Sequence, residues 1–252
     1  MKLYEENGPL LPNNGIVAAY PNWNNQAIDG LRMDIDNTPD WTYQFGYGWN
    51  ALLLNGQKAG QNWGLCTPTQ FPNAYFAQVG LIFDSTGADF AWADTQTSCN
   101  PQRIFTSVFT GLSGDPAPAS TGDDLIFQIT VDDSTDTWIL YAYNITTSDY
   151  WYKSKVVSSS NLLAIGTPNT SVFYENPRVA GTGWSNGFAA DPVVDNAYER
   201  RDSNGGWYNW SSEAQNDFQC NPGLLSIGDY LSGTTVTGLT FDVSDIDADC
   251  GI

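Results

Sequence analysis

Two polar residues stand in otherwise apolar stretches, and both are of types that can do acid or base chemistry. Glu175 follows the apolar run Val172-Phe173-Tyr174. In a strand, Glu175 and Phe173 share a face, and a carboxyl beside an aromatic ring on a partly buried face has its charged form disfavoured. Such a carboxyl suits proton transfer. The alternative is a charge on an edge strand that points to water and blocks pairing with another chain.

The second polar residue is Gln78, inside the apolar segment FAQVGLIF. A buried amide without partners costs about 1–3 kcal/mol, so Gln78 must be satisfied or face a cleft. Alternation puts Phe76 and Gly80 on its face, and we expect the glycine to leave room there for a ligand. The alternative places Gln78 on the solvent face.

Composition excludes several classes of function. The chain of 252 residues has a net charge of −19 and no histidine. The negative charge argues against partners that are nucleic acids or anionic membranes, and the missing histidine removes Ser-His-Asp, Cys-His and histidine-zinc chemistry. Carboxylates, amides, tyrosines and lysines remain. Because carboxylates become neutral near pH 4, we expect the protein to tolerate acid.

The cysteine spacing indicates disulfides. The four cysteines are far apart and form no C-x-x-C pair. Three pairings of two disulfides are possible, and we favour the one in which each bond closes a loop of about 30 residues, worth roughly 3 kcal/mol. The two bonds of that pairing are Cys66 with Cys99 and Cys220 with Cys250.

Further sequence features favour a secreted, extracellular protein. Glycosylation triplets begin at Asn144, Asn169 and Asn209. No signal-peptide core is present and no apolar run is long enough to cross a bilayer, so we expect a mature form with an added Met.

The elements that must position these residues are strands. No segment has a sustained helical period, and short alternating runs recur between turn residues, which predicts an all-β, two-sheet antiparallel β-sandwich or jelly roll. We expect an N-terminal arm over residues 1–30, with one strand at 16–20, and a single sandwich domain over 31–252. A turn is expected at Asn55-Gly56, a hairpin over 74–93 and a three-stranded meander over 125–156. Further strands are expected at 31–35, 41–49, 104–109, 171–175 and 234–243.

Several of these segments resemble one family. Gln78-Val79-Gly80, followed by the tract FAWA at 90–93, is similar to the Gln-x-Gly and Tyr-x-Ala-Trp region of the fungal glutamic peptidases, the eqolisin or scytalidoglutamic peptidase family. The similarity continues through the Gly-Asp-Asp tract at 122–124 and the Asn-Ile-Thr-Thr turn at 144–147, and it reaches Ser171–Glu175, where the family has its catalytic glutamate. It covers roughly residues 40 to 200.

The resemblance implies a concanavalin-like sandwich and a secreted acid endopeptidase with Gln78 and Glu175 as its dyad. Glu175 would take a proton from the attacking water and pass it to the leaving amine, while Gln78 would position the water and donate to the oxyanion. The partner would be a polypeptide substrate and the protein a monomer, with no cofactor or metal required. The residues expected to line the substrate site are Trp41, Trp49, Trp92 and Phe173. The chain departs from the family pattern at Val172, where the family has a tryptophan.

The alternative function is glycan binding by a non-catalytic, lectin-like sandwich. Ten tryptophans and thirteen tyrosines, including the runs at 150–152 and 207–210, supply flat rings for sugar faces. A glycosidase would pair Glu175 with Glu199 or Glu213, but no paired-carboxylate motif is present. The C-terminal aspartates are expected to form a solvated acidic tail, with a surface calcium site as the alternative; they are Asp242, Asp245, Asp247 and Asp249.

Overall fold

The structure is a computed structural model, and every regular element in its described part is a β-strand. The described residues are 3–6, 14–21, 28–38, 50–58, 76–84, 87–94, 103–107, 119–157, 163, 170–179, 183–184, 193–201, 205–210, 213–218, 227–232 and 235–241.

The larger sheet has nine strands. They are β1 (Leu3–Glu6), β2 (Asn14–Pro21), β4 (Asn50–Gln57), β5 (Phe76–Asp84), β6 (Gly87–Asp94), β7 (Arg103–Ser107), β11 (Ser171–Val179), β12 (Gly183–Trp184) and β16 (Glu213–Phe218). Eight of them follow the order β1-β7-β6-β5-β4-β11-β2-β16, and β12 pairs with β11.

A second sheet has six strands in the order β10-β9-β8-β3-β14-β15. They are β3 (Gly30–Ile35), β8 (Leu125–Asp132), β9 (Thr137–Asn144), β10 (Asp149–Val156), β14 (Asn196–Arg200) and β15 (Tyr208–Asn209). A third sheet contains β13 (Val193–Val194), β17 (Ile227–Ser232) and β18 (Thr235–Phe241) in the order β13-β18-β17. Every strand pairing in the three sheets is antiparallel.

The hydrophobic core lies between the two larger sheets. Each sheet contributes the alternate residues of its strands, as period-two geometry requires. Phe90 of β6 meets Phe127 of β8 edge to face, with ring centroids 5.7 Å apart. Other buried members include Leu52, Leu54, Val79 and Leu81 from the larger sheet and Leu31, Met33, Ile129 and Leu140 from the smaller. The predicted antiparallel β-sandwich is confirmed.

Local patterning located several strands. The hairpin is β5 and β6, joined between Asp84 and Gly87, and the meander is β8, β9 and β10. The strand expected at 16–20 is β2, which lies between β11 and β16. Residues 1–30, which were expected to form an arm, therefore contribute two strands, β1 and β2, to the larger sheet.

Two expectations about strand ends are wrong. Asn55 and Gly56 do not form a turn but lie inside β4, where they pair with Gln78 and Ala77. Pairing on both sides of β4 holds these residues in strand geometry despite their turn preference. Glu175 is not on an edge strand, because β11 pairs with β4 on one side and β2 on the other.

Some expected features fall outside the described residues. These are Trp41, Trp49, the four cysteines, Asn169 and the C-terminal aspartates. The part of the chain that the structure describes contains no helix long and apolar enough to cross a membrane.

Candidate functional site

Three polar residues form a row across three neighbouring strands. Gln78 of β5 is in register with Asn55 of β4, which is in register with Ser171 of β11. Because Leu54 and Val79 face the core, alternation puts this row on the other face of the larger sheet. We call that face the outer face of the larger sheet, and the three residues the polar row.

The polar row is buried and linked by hydrogen bonds. Gln78 is 1% exposed, Asn55 2% and Ser171 0%, so placing Gln78 on the solvent face is wrong. Nε2 of Gln78 donates to Oδ1 of Asn55 at 2.9 Å, and Nδ2 of Asn55 donates to Oγ of Ser171 at 3.5 Å. Because the side-chain nitrogen of Asn55 points to Ser171, its side-chain oxygen is the atom that accepts the hydrogen bond from Gln78.

One atom of the row is unsatisfied. Oε1 of Gln78 is buried and accepts no hydrogen bond from the described part of the chain. An amide oxygen without a donor costs about 1–3 kcal/mol when it is buried. Gln78 is therefore an amide with one end fixed by Asn55 and an acceptor oxygen that the described residues leave unpaired.

The space expected beside Gly80 is filled by a neighbouring strand. A Cβ placed on Gly80 would collide with the carbonyl oxygen of Leu52 and would lie 2.8 Å from Cα of Leu53. The glycine serves the close approach of β4 to β5 rather than a ligand. This corrects the expected ligand space beside Gln78.

Glu175 shares the outer face with Gln78 but lies further along the sheet. It pairs with Ala51 on β4 and Ile16 on β2, four residues beyond Ser171. Four residues span about 13 Å, and two strand spacings span about 10 Å. In a flat sheet, the Cα atoms of Gln78 and Glu175 would thus be about 16 Å apart.

The residues expected to line a substrate site separate into two groups. Phe173 lies on the outer face by register, between Ser171 and Glu175, opposite Leu53 and Ala18. Trp92 lies on the other face, because it pairs with Val79, and its ring stacks on Trp151 at 5.9 Å. The expectation that Trp92 lines a site with Gln78 is thereby corrected, since the sheet separates them.

The Trp92 ring has a cationic neighbour. Nζ of Lys153 lies 3.1 Å from its centroid. Trp92 is thus enclosed between a ring and an ammonium group, as expected of a residue that packs β6 against β10.

Glu199 is one of the two glutamates that could pair with Glu175 in a glycosidase site. It is fully buried on β14 of the smaller sheet, whereas Glu175 is in the larger sheet. Burial raises the pKa of Glu199, and the hydrogen bond from Nε of Arg201, 2.7 Å from Oε1, opposes that rise. The two glutamates belong to separate sheets and do not form one glycosidase site.

Two of the motifs that carry the family resemblance connect strands. Nδ2 of Asn144 donates to Oδ2 of Asp123 at 2.8 Å, and the backbone N–H of Asp124 donates to Oγ1 of Thr146 at 2.9 Å. These bonds fix the turn after β9 against the start of β8. Asn144 is 1% exposed and its amide nitrogen is engaged, so the folded protein does not offer it for glycosylation.

Asn55 and Ser171 are the site residues that sequence reasoning missed. Asn55 follows three leucines and precedes a glycine, a context that predicts a turn. The available signal was the pattern of one polar residue directly after an apolar run on two strands, 52–55 and 76–78. Only the register shows that the two amides meet.

Comparisons with known proteins find similar folds but no family. No family model matches the chain, and no curated protein matches it. A crystal structure of scytalido-glutamic peptidase with a peptide-based transition state analog is 16% identical, with a TM-score of 0.48, and covers 91% of this chain and 98% of its own. SCP-B, a member of the eqolisin family in complex with a tripeptide, is 14% identical with a TM-score of 0.47 and the same coverage.

A lectin is also among the similar structures. Basic winged bean lectin with Tn-antigen is 14% identical with a TM-score of 0.30, and it covers 62% of this chain and 64% of its own. Similarities at this level carry no inference about activity or ligand.

Proposed function

We propose that this protein is a secreted acid endopeptidase that hydrolyses peptide bonds with Gln78 and Glu175. The observation that supports it most is the state of Gln78. Its amide is buried, one N–H is held by Asn55, and its oxygen has no partner in the described part of the chain. Sequence motifs of the glutamic peptidases around both residues add to this support.

The proposed reaction adds water across a peptide bond. Glu175, as a carboxylate, accepts a proton from a water whose oxygen attacks the scissile carbonyl carbon. A tetrahedral oxyanion forms, and the second N–H of Gln78 donates to it. Glu175 then gives the proton to the leaving nitrogen, the C–N bond breaks, and a carboxylic acid and an amine leave.

The separation of the two residues supports different roles for them in the proposed reaction. Neither side chain spans the distance of about 16 Å between their Cα positions in a flat sheet. The row of Phe173, Leu53 and Gly80 lies between them, so the two groups do not share one water. We therefore assign the water to Glu175 and the carbonyl oxygen to Gln78.

Asn55 is a positioning residue in this proposal. By accepting one N–H of Gln78 at 2.9 Å, it fixes the rotation of the amide. The remaining N–H and the oxygen then have fixed directions, as an oxyanion donor requires.

The test measures cleavage of denatured protein substrate from pH 2 to 7. Activity below about pH 5 is expected, and Glu175→Gln and Gln78→Ala should each lower kcat by about 100-fold or more. Glu213→Gln and Gln215→Ala are matched controls. Both residues lie in β16 of the same sheet, opposite Pro21 and Ala19, on the register face that Glu175 does not share.

Two results would overturn the proposal. One is the absence of cleavage by a folded sample at every pH. The other is cleavage that survives both site substitutions, or that the β16 controls remove equally.

A further inference from the structure

The smaller sheet also has an outer face, and it is rich in aromatic and polar side chains. By register, one row crosses all six strands in the order Tyr152, Tyr141, Gln128, Arg32, Tyr198 and Asn209. A parallel row begins with Tyr150 and Tyr143. Six strands span about 24 Å. We call this surface the tyrosine face.

Four tyrosines form a block at one end of the tyrosine face. Tyr150 is 59% exposed and Tyr152 51% exposed, although both belong to a regular strand. Tyr141 and Tyr143 beside them are half-buried. The rings of Tyr141 and Tyr150 stack with centroids 6.4 Å apart, and those of Tyr141 and Tyr143 are 6.2 Å apart.

These rings are not part of the core. The neighbouring Trp151 points the other way and is buried between the sheets. Burying the exposed parts of Tyr150 and Tyr152 would stabilise a complex, since tyrosine rings supply apolar area together with a polar hydroxyl. The exposed parts of these rings combine apolar carbon with polar hydroxyl groups, so they form an amphipathic surface.

The middle of the tyrosine face carries charges that cancel. Arg32 forms two bonds to Asp34, with Nε 2.5 Å from Oδ1 and Nη2 2.7 Å from Oδ2. The guanidinium also lies over the ring of Tyr198, 5.1 Å from its centroid. Planar groups and polar atoms thus continue from the tyrosine block along the row, and the charge of Arg32 is balanced by its partner.

We propose that the tyrosine face binds a neutral polysaccharide. Sugar rings have apolar faces that stack on aromatic rings, and hydroxyls that bond with tyrosine, amide and guanidinium groups. The net charge of −19 disfavours anionic partners, and the ion pair with Asp34 occupies the Arg32 charge that an acidic sugar would need. An extended neutral chain matches both the length and the composition of the row.

This site is separate from the proposed peptidase site. The polar row is on the larger sheet and the tyrosine face is on the opposite side of the sandwich. Binding would hold the protein on a polysaccharide through the side of the sandwich opposite to the polar row. Polysaccharide binding is measured without any peptide hydrolysis. A negative binding result therefore leaves the peptidase proposal unaffected.

The experiment measures binding of the full chain to insoluble cellulose, insoluble xylan and soluble barley β-glucan, with polygalacturonate as the anionic comparison. At least one neutral polymer should bind and polygalacturonate should not. The double variant Tyr150→Ala, Tyr152→Ala should bind about tenfold or more weakly, since two stacking contacts are lost. Tyr150→Phe with Tyr152→Phe keeps the rings and should retain most of the binding.

Tyr208→Ala is the matched control. Tyr208 is 53% exposed but pairs with the buried Glu199, on the side of the smaller sheet that faces the core. Its variant should bind as the unaltered chain does. Circular dichroism checks that every variant is folded.

Three results would overturn the proposal. The first is no binding to any of the neutral polymers. The second is binding that the double alanine variant retains or that Tyr208→Ala loses equally. The third is that the unaltered chain binds no polysaccharide and sediments as a dimer, while the double alanine variant sediments as a monomer. The tyrosine face would then be a self-association surface.

Discussion

At the scale of single residues, the site depends on two amides that each need the other. Gln78 and Asn55 are both buried, and one hydrogen bond of 2.9 Å joins them. Removing one partner leaves the other without its hydrogen bond, whereas replacing both by apolar residues leaves no unpaired amide. Their contributions to stability should therefore not add.

A double-mutant cycle tests this coupling. Asn55→Leu and Gln78→Met should each lower the free energy of unfolding by about 1–3 kcal/mol, because each leaves a buried amide unpaired. The double variant should lose at least about 0.5 kcal/mol less than the two losses together. Urea unfolding monitored by tryptophan fluorescence measures all four free energies. Strictly additive losses would show that the bond contributes nothing specific.

At the scale of elements, the close approach of β4 to β5 leaves no space for a ligand beside Gly80. Gly80 lets the backbone of β4 approach where a side chain would otherwise stand. The same register brings Asn55 opposite Gln78. A change that pushes the two strands apart should therefore disturb both stability and the polar row.

Gly80→Ala is predicted to destabilise the protein by about 1–3 kcal/mol or more, because the new methyl group meets backbone that cannot rotate away. Gly206→Ala is the control, since a Cβ there meets nothing within 4 Å. Thermal unfolding of both variants measures the difference. Equal melting temperatures for the two would contradict the close approach of β4 and β5.

At the scale of the whole molecule, the charge distribution favours a higher stability of the folded state at acidic pH. The net charge of −19 repels itself at neutral pH. Burial raises the pKa of Asp34, Asp195 and Glu199. A carboxyl whose pKa is raised on folding binds its proton more tightly in the native state, so its contribution is complete below the unfolded pKa and is lost as pH rises through the folded pKa.

Among the described carboxyls, Asp132 acts in the opposite sense. The hydrogen bond from the Ser134 side chain lowers the pKa of Asp132, with a further one from Thr135. Its contribution is lost as pH falls through that lowered pKa. Asp132 is on the surface, where solvent weakens such effects, so the buried carboxyls and the net charge dominate.

The free energy of unfolding should therefore be higher at pH 4 than at pH 7. Urea unfolding at intervals from pH 3 to 8 measures it. Glu199→Gln should reduce the fall between these values, because it removes one carboxyl whose pKa is raised. A free energy that rises from pH 4 to pH 7, or a Glu199→Gln curve parallel to that of the unaltered chain, would contradict this account.

Sequence by itself determined the fold class and several of its strands. Alternation at 76–83, 88–93 and 125–156 depends on neighbours in the chain, so the hairpin and the meander could be predicted without tertiary information. The short connection between Asp84 and Gly87 fixes the register of β5 against β6. In that register Trp92 pairs with Val79, so it lies on the opposite face of the sheet from Gln78. The absence of histidine limits the available chemistry through composition alone.

Tertiary structure alone decided what surrounds each candidate residue. Whether Asn55 turns or continues a strand, whether β11 is an edge, and which residue meets Gln78 all depend on segments distant in the chain. Period two fixes the faces within one strand, but the register between strands is set by non-local pairing and core packing. For that reason the sequence could indicate Gln78 and Glu175 separately, while their partners, the burial of Gln78 and the distance between the two came from the folded sheet.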